Sequence, residues 1–272
     1  MSECFRIDLG LPACIDLRGP DAVRYLNGQV TQDVRRVSGS VESLPSCVTD
    51  AKGRFQFRVW ITALPDGSLR VDCPGADPDA LEAHLTRYLI ADDAEAENRS
   101  GRYRLVHFTA DPGTAPEGVL VRNSSRFAVP GVDWWFPVET ELSFPESIPP
   151  LAGDALEDFR IRHGVPLAGS ELTSGILPPE AGLDATDISY QKGCYIGQEV
   201  ISRIKSAGKV NRKIASFTTD ASWPISSLAL VDADGKPAGE ITSVSPIADG
   251  KVRHLLAYVK RGAENVRIVI AD

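Results

Sequence analysis

Residues 191–203 carry side chains that suit ligand binding or thiol chemistry. The positions that matter are Lys192, Gly193, Cys194, Tyr195, Gly197, Gln198, Glu199 and Arg203. Two glycines four positions apart let the backbone approach a neighbour closely. A lysine two positions before Cys194 and a helix start just after it both favour the thiolate, which is the nucleophilic and metal-binding form of cysteine. The stretch therefore predicts a reactive thiol at Cys194.

The same stretch also predicts an anion-binding position. Gly197 precedes a predicted helix whose apolar positions are Val200, Ile201 and Ile204, and the free amides at a helix start favour a carboxylate or another anion. A structural alternative stays open, because most free cysteines fill small apolar gaps. The basic residues from 203 to 213 are likewise compatible with a solvated strand edge.

Several other chemistries are excluded by spacing. No two of the 23 glycines lie two positions apart, so the Gly-x-Gly turn of a dinucleotide-binding fold is absent. Arg203 occupies the position where a phosphate-binding loop ending at Gly208 would need glycine. The Gly-x-Ser-x-Gly motif of many hydrolases is missing as well. The five cysteines include no Cys-x-x-Cys pair, which argues against a disulfide framework and against a zinc site.

Charge along the chain points to one basic region. The formal net charge is −8, which disfavours a general nucleic-acid-binding protein. Residues 77–97 are strongly acidic, whereas residues 186–215 hold six basic and two acidic side chains. The sequence has no apolar run of the length that a membrane span needs, and its start lacks the pattern of a secretory signal. We therefore expect a cytoplasmic protein.

The first half of the chain predicts a mixture of antiparallel sheet and helices. Helices are expected over residues 19–28 and 77–89, the second one capped by Asp77 and Pro78. Alternating apolar residues over 55–61, a turn at Asp66-Gly67 and a second run at 69–71 predict a hairpin. Further strands are expected at 103–108, 119–121, 127–129 and 134–138. Prolines near residue 148 predict a crossing segment.

The second half predicts one helix and then short strands. Residues 154–163 form a helical pattern that ends at Gly164. Strands are expected at 228–231, 240–244, 252–259 and 266–270, which suits a small β-barrel. The expected organisation is α/β lobes over 1–150, a helix and the Cys194 stretch packing back on them over 151–204, and a C-terminal β-barrel over 205–272.

The octapeptide Lys192-Gly193-Cys194-Tyr195-Ile196-Gly197-Gln198-Glu199 resembles the signature of the YgfZ-type folate-binding proteins. These are relatives of the glycine-cleavage T-protein that act in iron-sulfur cluster assembly and repair. Residues 25–34, 50–54, 160–166 and 177–180 resemble other segments of the family in the same order. Gly235, Gly239, Thr242, Ser243 and Pro246 are similar to its barrel pattern.

The resemblance implies an α+β fold, a T-protein-like ring of mixed antiparallel α/β lobes with a small C-terminal β-barrel. It further implies that tetrahydrofolate or a derivative binds in a central hole, and that an iron-sulfur cluster binds transiently. A pterin needs an apolar slot with a few fixed polar groups, and its glutamate tail needs cations. On this basis the expected folate-binding residues are Lys192, Gly193, Tyr195, Gly197, Gln198, Glu199, Arg162 and Arg203.

Two positions depart from the T-protein pattern. The strand that carries the catalytic aspartate of that enzyme has neutral Gln56 here, and aminomethyl transfer needs a negative group beside the cationic centre. Arg162 stands where the T-protein has a pterin-binding glutamate, as in the YgfZ pattern.

Three functions follow from these residues. The first is a folate-binding factor that serves iron-sulfur assembly or client proteins, with Cys194 as a reactive thiol or transient cluster ligand and without the turnover of an ordinary enzyme. The second is a folate-dependent aminomethyltransferase or demethylase. The third is a binding module that uses the basic residues near Lys205, including Lys209 and Arg212, to hold RNA.

Overall fold

The computed structural model describes residues 3–208, 210–222 and 228–269. Contacts divide the chain into two units. Unit 1 comprises Met1–Leu151 and Ala185–Glu199, and unit 2 comprises Ala152–Asp184 and Val200–Asp272. The stretch that holds Cys194 is thus grouped with the N-terminal part of the chain, although residues 152–184 precede it in sequence.

Unit 1 contains most of the strands. They are β1 (Arg6–Asp8), β2 (Ala13–Arg18), β3 (Ser43–Thr49), β4 (Phe55–Ala63), β5 (Leu69–Cys73), β6 (Glu95–Asn98), β7 (Tyr103–Phe108), β8 (Leu120–Ser124) and β9 (Gly131–Pro137). Its helices are α1 (Ala22–Gln29), a short 3-10 helix (Val34–Val37) and α2 (Pro78–Thr86).

These strands form two antiparallel sheets. One has the order β3-β4-β5-β2-β6 and the other has the order β1-β7-β9-β8. The expected hairpin is formed by β4 and β5, which pair from Trp60 with Asp72 to Ala63 with Leu69. Pro45 lies in β3, opposite Trp60. A proline is tolerated there because β3 is an edge strand of its sheet.

The five-stranded sheet packs against α1 and α2. Apolar residues of the two helices, among them Leu26, Leu81 and Leu85, are fully buried with the sheet residues Ile15, Leu17 and Val71. The Tyr25 hydroxyl donates a hydrogen bond of 2.6 Å to the Leu85 carbonyl and so joins the helices. As the sequence predicts, Asp77 caps α2 by accepting a hydrogen bond from the Asp79 amide.

A buried polar cluster links the two sheets of unit 1. Arg126 is paired with Asp72 on β5 and with Asp133 on β9, both at 2.8 Å, and all three side chains are nearly inaccessible to solvent. His107 Nδ1 lies 2.8 Å from the other Asp133 oxygen. Burial raises the pKa of Asp72 to about 6, because desolvation outweighs the opposing effect of the Arg126 guanidinium. The cluster connects the two sheets through the ion pairs of Arg126 with the two aspartates.

Unit 2 contains α3 (Gly153–Arg162), β10 (Arg212–Asp220), β11 (Ala229–Val231), β12 (Pro237–Asp249), β13 (Val252–Lys260) and β14 (Arg267–Ile268). Helix α4 (Gln198–Ala207) begins in unit 1 and continues into unit 2. The five strands form a curled antiparallel sheet in the order β10-β13-β12-β11-β14. Within the described residues β10 and β14 are not paired with each other, so the expected barrel is a half-barrel.

Glu171 organises the polar interior of unit 2. It is fully buried, and its carboxylate accepts hydrogen bonds from the hydroxyls of Thr242 and Ser243 at 2.7 and 2.6 Å. Arg160 of α3 approaches the other carboxylate oxygen at 3.2 Å. The Tyr258 hydroxyl donates to the Glu171 backbone carbonyl. Thr242 and Ser243, which the sequence pattern singled out, therefore connect β12 to the segment after α3.

The structure corrects some of the expected elements. Residues 127–129 are not a strand, since they form a turn in which Ala128 has a φ of 60°. Strands β1, β2, β3, β6 and β10 are additional to those expected. Helix α3 ends as predicted, with Gly164 at a φ of 66° just after its last turn. The expected strand at 266–270 is observed only as Arg267–Ile268, and Ile270 lies outside the described residues.

Candidate functional site

The candidate site is the segment 192–199, which we call the thiol segment. It lies in unit 1 and is fixed to two neighbours. The Ile196 amide donates to the Gly28 carbonyl at the end of α1, at 3.1 Å. The Thr49 hydroxyl donates to the Ile196 carbonyl from the end of β3, at 2.7 Å. Both main-chain groups of Ile196 thus hold the centre of the segment in place.

Lys192 anchors the start of the thiol segment. Its side chain is buried, and its ammonium donates to the backbone carbonyls of Asn27, Val30 and Gln32 at 2.5, 2.7 and 2.8 Å. These bonds use all three N–H donors of the ammonium. Burial lowers the pKa of Lys192 to about 7. Lys192 therefore holds the loop after α1, and its charge is directed at that loop.

The two glycines of the segment differ in what the backbone requires of them. Gly197 has a φ of 85°, and a β-carbon there would lie 2.7 Å from the Asp50 carbonyl oxygen and 2.8 Å from the Gly53 α-carbon. No side chain fits at this position, because the turn between β3 and β4 touches the segment. Gly193 has no atom within 4 Å of its β-carbon position. The expected close approach of the backbone is thus made by Gly197 alone.

Cys194 is exposed, in contrast to the other four cysteines. Cys14, Cys47 and Cys73 are buried and Cys4 is half-buried. Burial raises the pKa of each of these four thiols, to about 12 for Cys73. A thiol with a raised pKa holds little thiolate and reacts slowly. Cys194 is thus the one cysteine with an exposed side chain, and it lies in an anchored segment.

Two buried polar atoms near the thiol segment lack a hydrogen-bond partner among the described residues. They are the hydroxyl oxygen of Tyr195 and the carboxamide oxygen of Gln29 at the end of α1. Tyr195 is only 7% exposed, its ring lies 5.0 Å from the Lys192 ammonium, and burial raises its pKa. A buried polar atom without a partner is costly unless another group supplies one. Gln29 was not among the residues that sequence reasoning selected.

The remaining expected ligand-binding residues are distributed over both units. Gln198 is half-buried at the first position of α4, and its amide donates to the Tyr195 carbonyl at 3.1 Å, which uses one of the free amides expected at the helix start. Glu199, also in unit 1, is exposed, as is Arg203 in unit 2. Arg162, on α3 of unit 2, pairs with Asp158 at 2.8 Å and Asp249 at 3.1 Å.

The sequence analysis did not identify the side chains that hold residues 186–189, which precede the thiol segment. Asp187 is fully buried and pairs with Arg58 of β4 at 2.7 Å. The Thr31 hydroxyl donates to the Asp187 carbonyl, and the Gln32 carboxamide donates to the Thr186 carbonyl. Thr31 and Gln32 lie in the segment 25–34 that carries part of the family resemblance. That resemblance is the signal that could have marked them as anchors of residues 186–189.

The arrangement presents a thiol and an acid on a rigid support. Among the described residues, no group of three or more His, Cys, Asp or Glu side chains is placed to hold a metal ion.

Comparison with solved structures establishes which fold the chain has. No family model matches the chain. The structure superposes on the glycine cleavage system aminomethyltransferase T from Bartonella henselae with a TM-score of 0.78, covering 99% of this chain and 86% of that one at 15% identity. The chain has the T-protein fold, as the sequence predicts.

The relatives found by sequence form a narrower group of proteins than those that share the fold. The mouse mitochondrial iron-sulfur cluster assembly factor IBA57 is 27% identical over 270 residues, which is 87% of this chain and 73% of that protein. The tRNA-modifying protein YgfZ of Yersinia pseudotuberculosis is 26% identical over 233 residues, or 77% of this chain and 69% of that one. The chain is a homologue of YgfZ and IBA57 proteins, and the resemblance stated from its motifs is confirmed.

Some of the relatives are much longer than the part that this chain matches. The IBA57 homologue of Phaeosphaeria nodorum is 28% identical over 218 residues, and the match spans about half of it, 52% of its length. In the part of this chain that the structure describes, no helix is both long and apolar enough to cross a membrane.

Proposed function

We propose that the protein assists iron-sulfur cluster assembly or repair, that it does so with a reduced folate bound, and that Cys194 is its reactive thiol or a transient cluster ligand. The observation that carries the proposal is the exposure of Cys194 on a segment that is anchored through Lys192 and Ile196. The cluster is cargo in this proposal, received from or passed to an assembly or client protein.

The relatives support the assembly role. Proteins named iron-sulfur cluster assembly factor match most of this chain in mouse and about three quarters of it in Phaeosphaeria nodorum. These relatives are mitochondrial by name.

Folate binding is supported by the chemistry of the residues present. A pterin ring offers several N–H donors, which suit the Glu199 carboxylate and the Gln198 carboxamide oxygen. The Tyr195 hydroxyl lacks a partner among the described residues, so it can hydrogen-bond a polar ligand atom if the segment opens slightly. A glutamate tail suits the guanidinium of Arg203 or of Arg162. The donor set fits a folate by type.

A second candidate is folate-dependent aminomethyl transfer or demethylation, which the T-protein fold favours. Gln56 argues against it. This residue lies on β4, and its carboxamide donates to the Phe55 carbonyl at 2.9 Å. A neutral amide cannot stabilise a cationic amine or iminium centre as a carboxylate does. The maturation role therefore accounts better for the residues present.

Calorimetric titration with tetrahydrofolate tests the folate part of the proposal. The wild type is expected to bind one equivalent, Glu199→Ala to bind about tenfold more weakly, and Cys194→Ala to bind unchanged. Glu139→Ala, an exposed acid elsewhere in unit 1, is the matched control and should bind as the wild type does. Absence of saturable binding by the folded wild type would remove folate from the proposal.

A further inference from the structure

We propose that unit 2 holds a second binding site, for a small organic anion with an apolar body. The site is a cleft at one end of the curled sheet, between the start of β10, the end of β13 and the residues just before β14. We call it the cationic cleft. It is separate from the folate and cluster chemistry proposed above, because none of its lining residues is among those proposed to bind folate or a cluster.

The strand arrangement creates the opening. β10 and β14 are the two edges of the sheet, so the apolar inner face is not closed over between them in the described residues. Val266 precedes β14 and lines the cleft together with Lys213 and Ile214 of β10. The space measures about 550 Å³, which lies within the range of small-molecule sites in proteins.

The floor of the cleft is apolar. Ile214, Phe217, Val259 and Val266 line it. Three of them, Phe217, Val259 and Val266, are only partly buried and pack against the core formed by Leu230, Ile241, Leu255 and Ala257. The cleft therefore exposes the edge of a hydrophobic core, and covering that edge with an apolar group is favourable.

Four cations line the cleft. Because alternate residues of a strand point to the same face, Lys213 shares the face of Phe217 and Val259, whereas Arg212 and Lys260 share the opposite face with Tyr258. Arg212 lies opposite Lys260 in the β10–β13 register, Lys213 is next to Arg212, and Arg261 follows β13. Among the described residues no acidic side chain lines the cleft, although the chain as a whole has a net charge of −8. Arg212 has one distant carboxylate, that of Glu180 at 3.7 Å. The other three cations form no ion pair with any described residue.

This combination selects the ligand class. Lys213, Lys260 and Arg261, which form no ion pair with a described residue, call for a carboxylate, sulfonate or phosphate. The aliphatic floor calls for an apolar body attached to that anion. Single-stranded RNA is less suitable, because its bases are bound by stacking on aromatic side chains, and Phe217 is the single aromatic residue in the lining. The proposal is therefore a small amphipathic anion.

Fluorescence titration with 8-anilinonaphthalene-1-sulfonate, an apolar anion, tests this site on the full chain. We expect one saturable site, displaced by decanoate and not by decyltrimethylammonium. The double variant Lys213→Glu/Arg261→Glu should bind at least about tenfold more weakly. Lys236→Glu/Lys251→Glu reverses two exposed lysines of the same unit outside the cleft and should stay within about twofold of the wild type.

Three results would overturn the proposal: no saturable binding by the folded wild type, equal weakening by both double variants, or displacement by single-stranded RNA in preference to decanoate. If the charge-reversed variant does not fold, Lys213→Gln/Arg261→Gln replaces it. That neutral variant should weaken binding in the same direction, and unchanged binding would contradict the site.

Discussion

The thiol segment and the cationic cleft use basic side chains in opposite ways. In the thiol segment the Lys192 ammonium is buried against three backbone carbonyls of its own chain. Lys213, Lys260 and Arg261 line the cationic cleft without an ion pair among the described residues. A cation whose donors are satisfied internally positions the backbone, whereas one whose donors face a cleft is available to a ligand.

The octapeptide of residues 192–199 contains both residues that maintain its structure and residues that are exposed. Lys192, Gly197 and Tyr195 are buried or sterically required, so most of the octapeptide maintains the shape of the segment. Cys194 and Glu199 are the members with exposed side chains. The signature is thus a rigid support for two exposed groups, and the following predictions test that division.

The largest effect is expected at Gly197. Gly197→Ala places a β-carbon against the turn between β3 and β4 at a positive φ, and should lower the free energy of unfolding by about 3 kcal/mol. Gly193→Ala is the matched control and should change it by less than about 0.5 kcal/mol. Urea denaturation measures both. Equal losses in the two variants would show that the close contact at Gly197 is not what the segment depends on.

A smaller loss is expected at Lys192. Lys192→Met keeps the aliphatic stem and leaves three carbonyls without their donor, which should cost about 2 kcal/mol. Lys52→Met, at an exposed lysine in the turn between β3 and β4, should have an effect near zero. Denaturation of the two variants side by side measures the difference. A Lys192→Met protein as stable as the Lys52 control would show that the ammonium does not anchor the loop.

Lys192 should also give stability a dependence on pH. Its pKa is about 7 in the folded chain and about 10.4 when unfolded, so between those values the unfolded chain holds more protons and stability rises with pH. Relative to Lys192→Met, the free energy of unfolding should increase by up to about 1.4 kcal/mol per pH unit from pH 7 to 9. Denaturation at several pH values measures this slope. Parallel curves for the two proteins would contradict it.

Substitution of Cys194 should have the smallest effect on stability. Its thiol should nevertheless be the most reactive one in the chain. Cys194→Ser should change the free energy of unfolding by less than about 0.5 kcal/mol, because the side chain is exposed. In the native wild type, iodoacetamide should alkylate Cys194 first and leave Cys14 and Cys47 unmodified until the chain unfolds. Mass mapping of the labelled peptides gives the order. Early labelling of Cys47 would mean that the surrounding sheet opens readily.

Local signals made part of the fold predictable. The hairpin of β4 and β5, the strand Tyr103–Phe108 and the helix after Asp77 follow from alternation, a turn and a cap within about twenty residues. β3 was missed because Pro45 interrupts its pattern, and tolerance of that proline depends on the edge position in the sheet. The sequence predicts a strand over residues 127–129, where the structure has a turn at Ala128, because a short apolar run does not specify its conformation.

The sequence predicted which residues form the site better than it predicted what each of them does. The octapeptide identified Cys194, but the acceptors of Lys192 lie some 160 residues earlier in the chain, and no local pattern connects them. Glu171 and Asp187 were overlooked for the same reason, since a buried acid is distinguished from a surface acid only by distant partners. The cationic cleft required the strand register, which sets Arg212 opposite Lys260.

The central claim, that the protein acts through the exposed thiol of Cys194, is tested most directly by iron-sulfur enzyme activity in a bacterial strain that lacks its own YgfZ. The wild-type chain and Cys4→Ser should both restore that activity, while Cys194→Ala, expressed to the same level, should leave it at the level of the empty strain. Full restoration by Cys194→Ala would contradict the account.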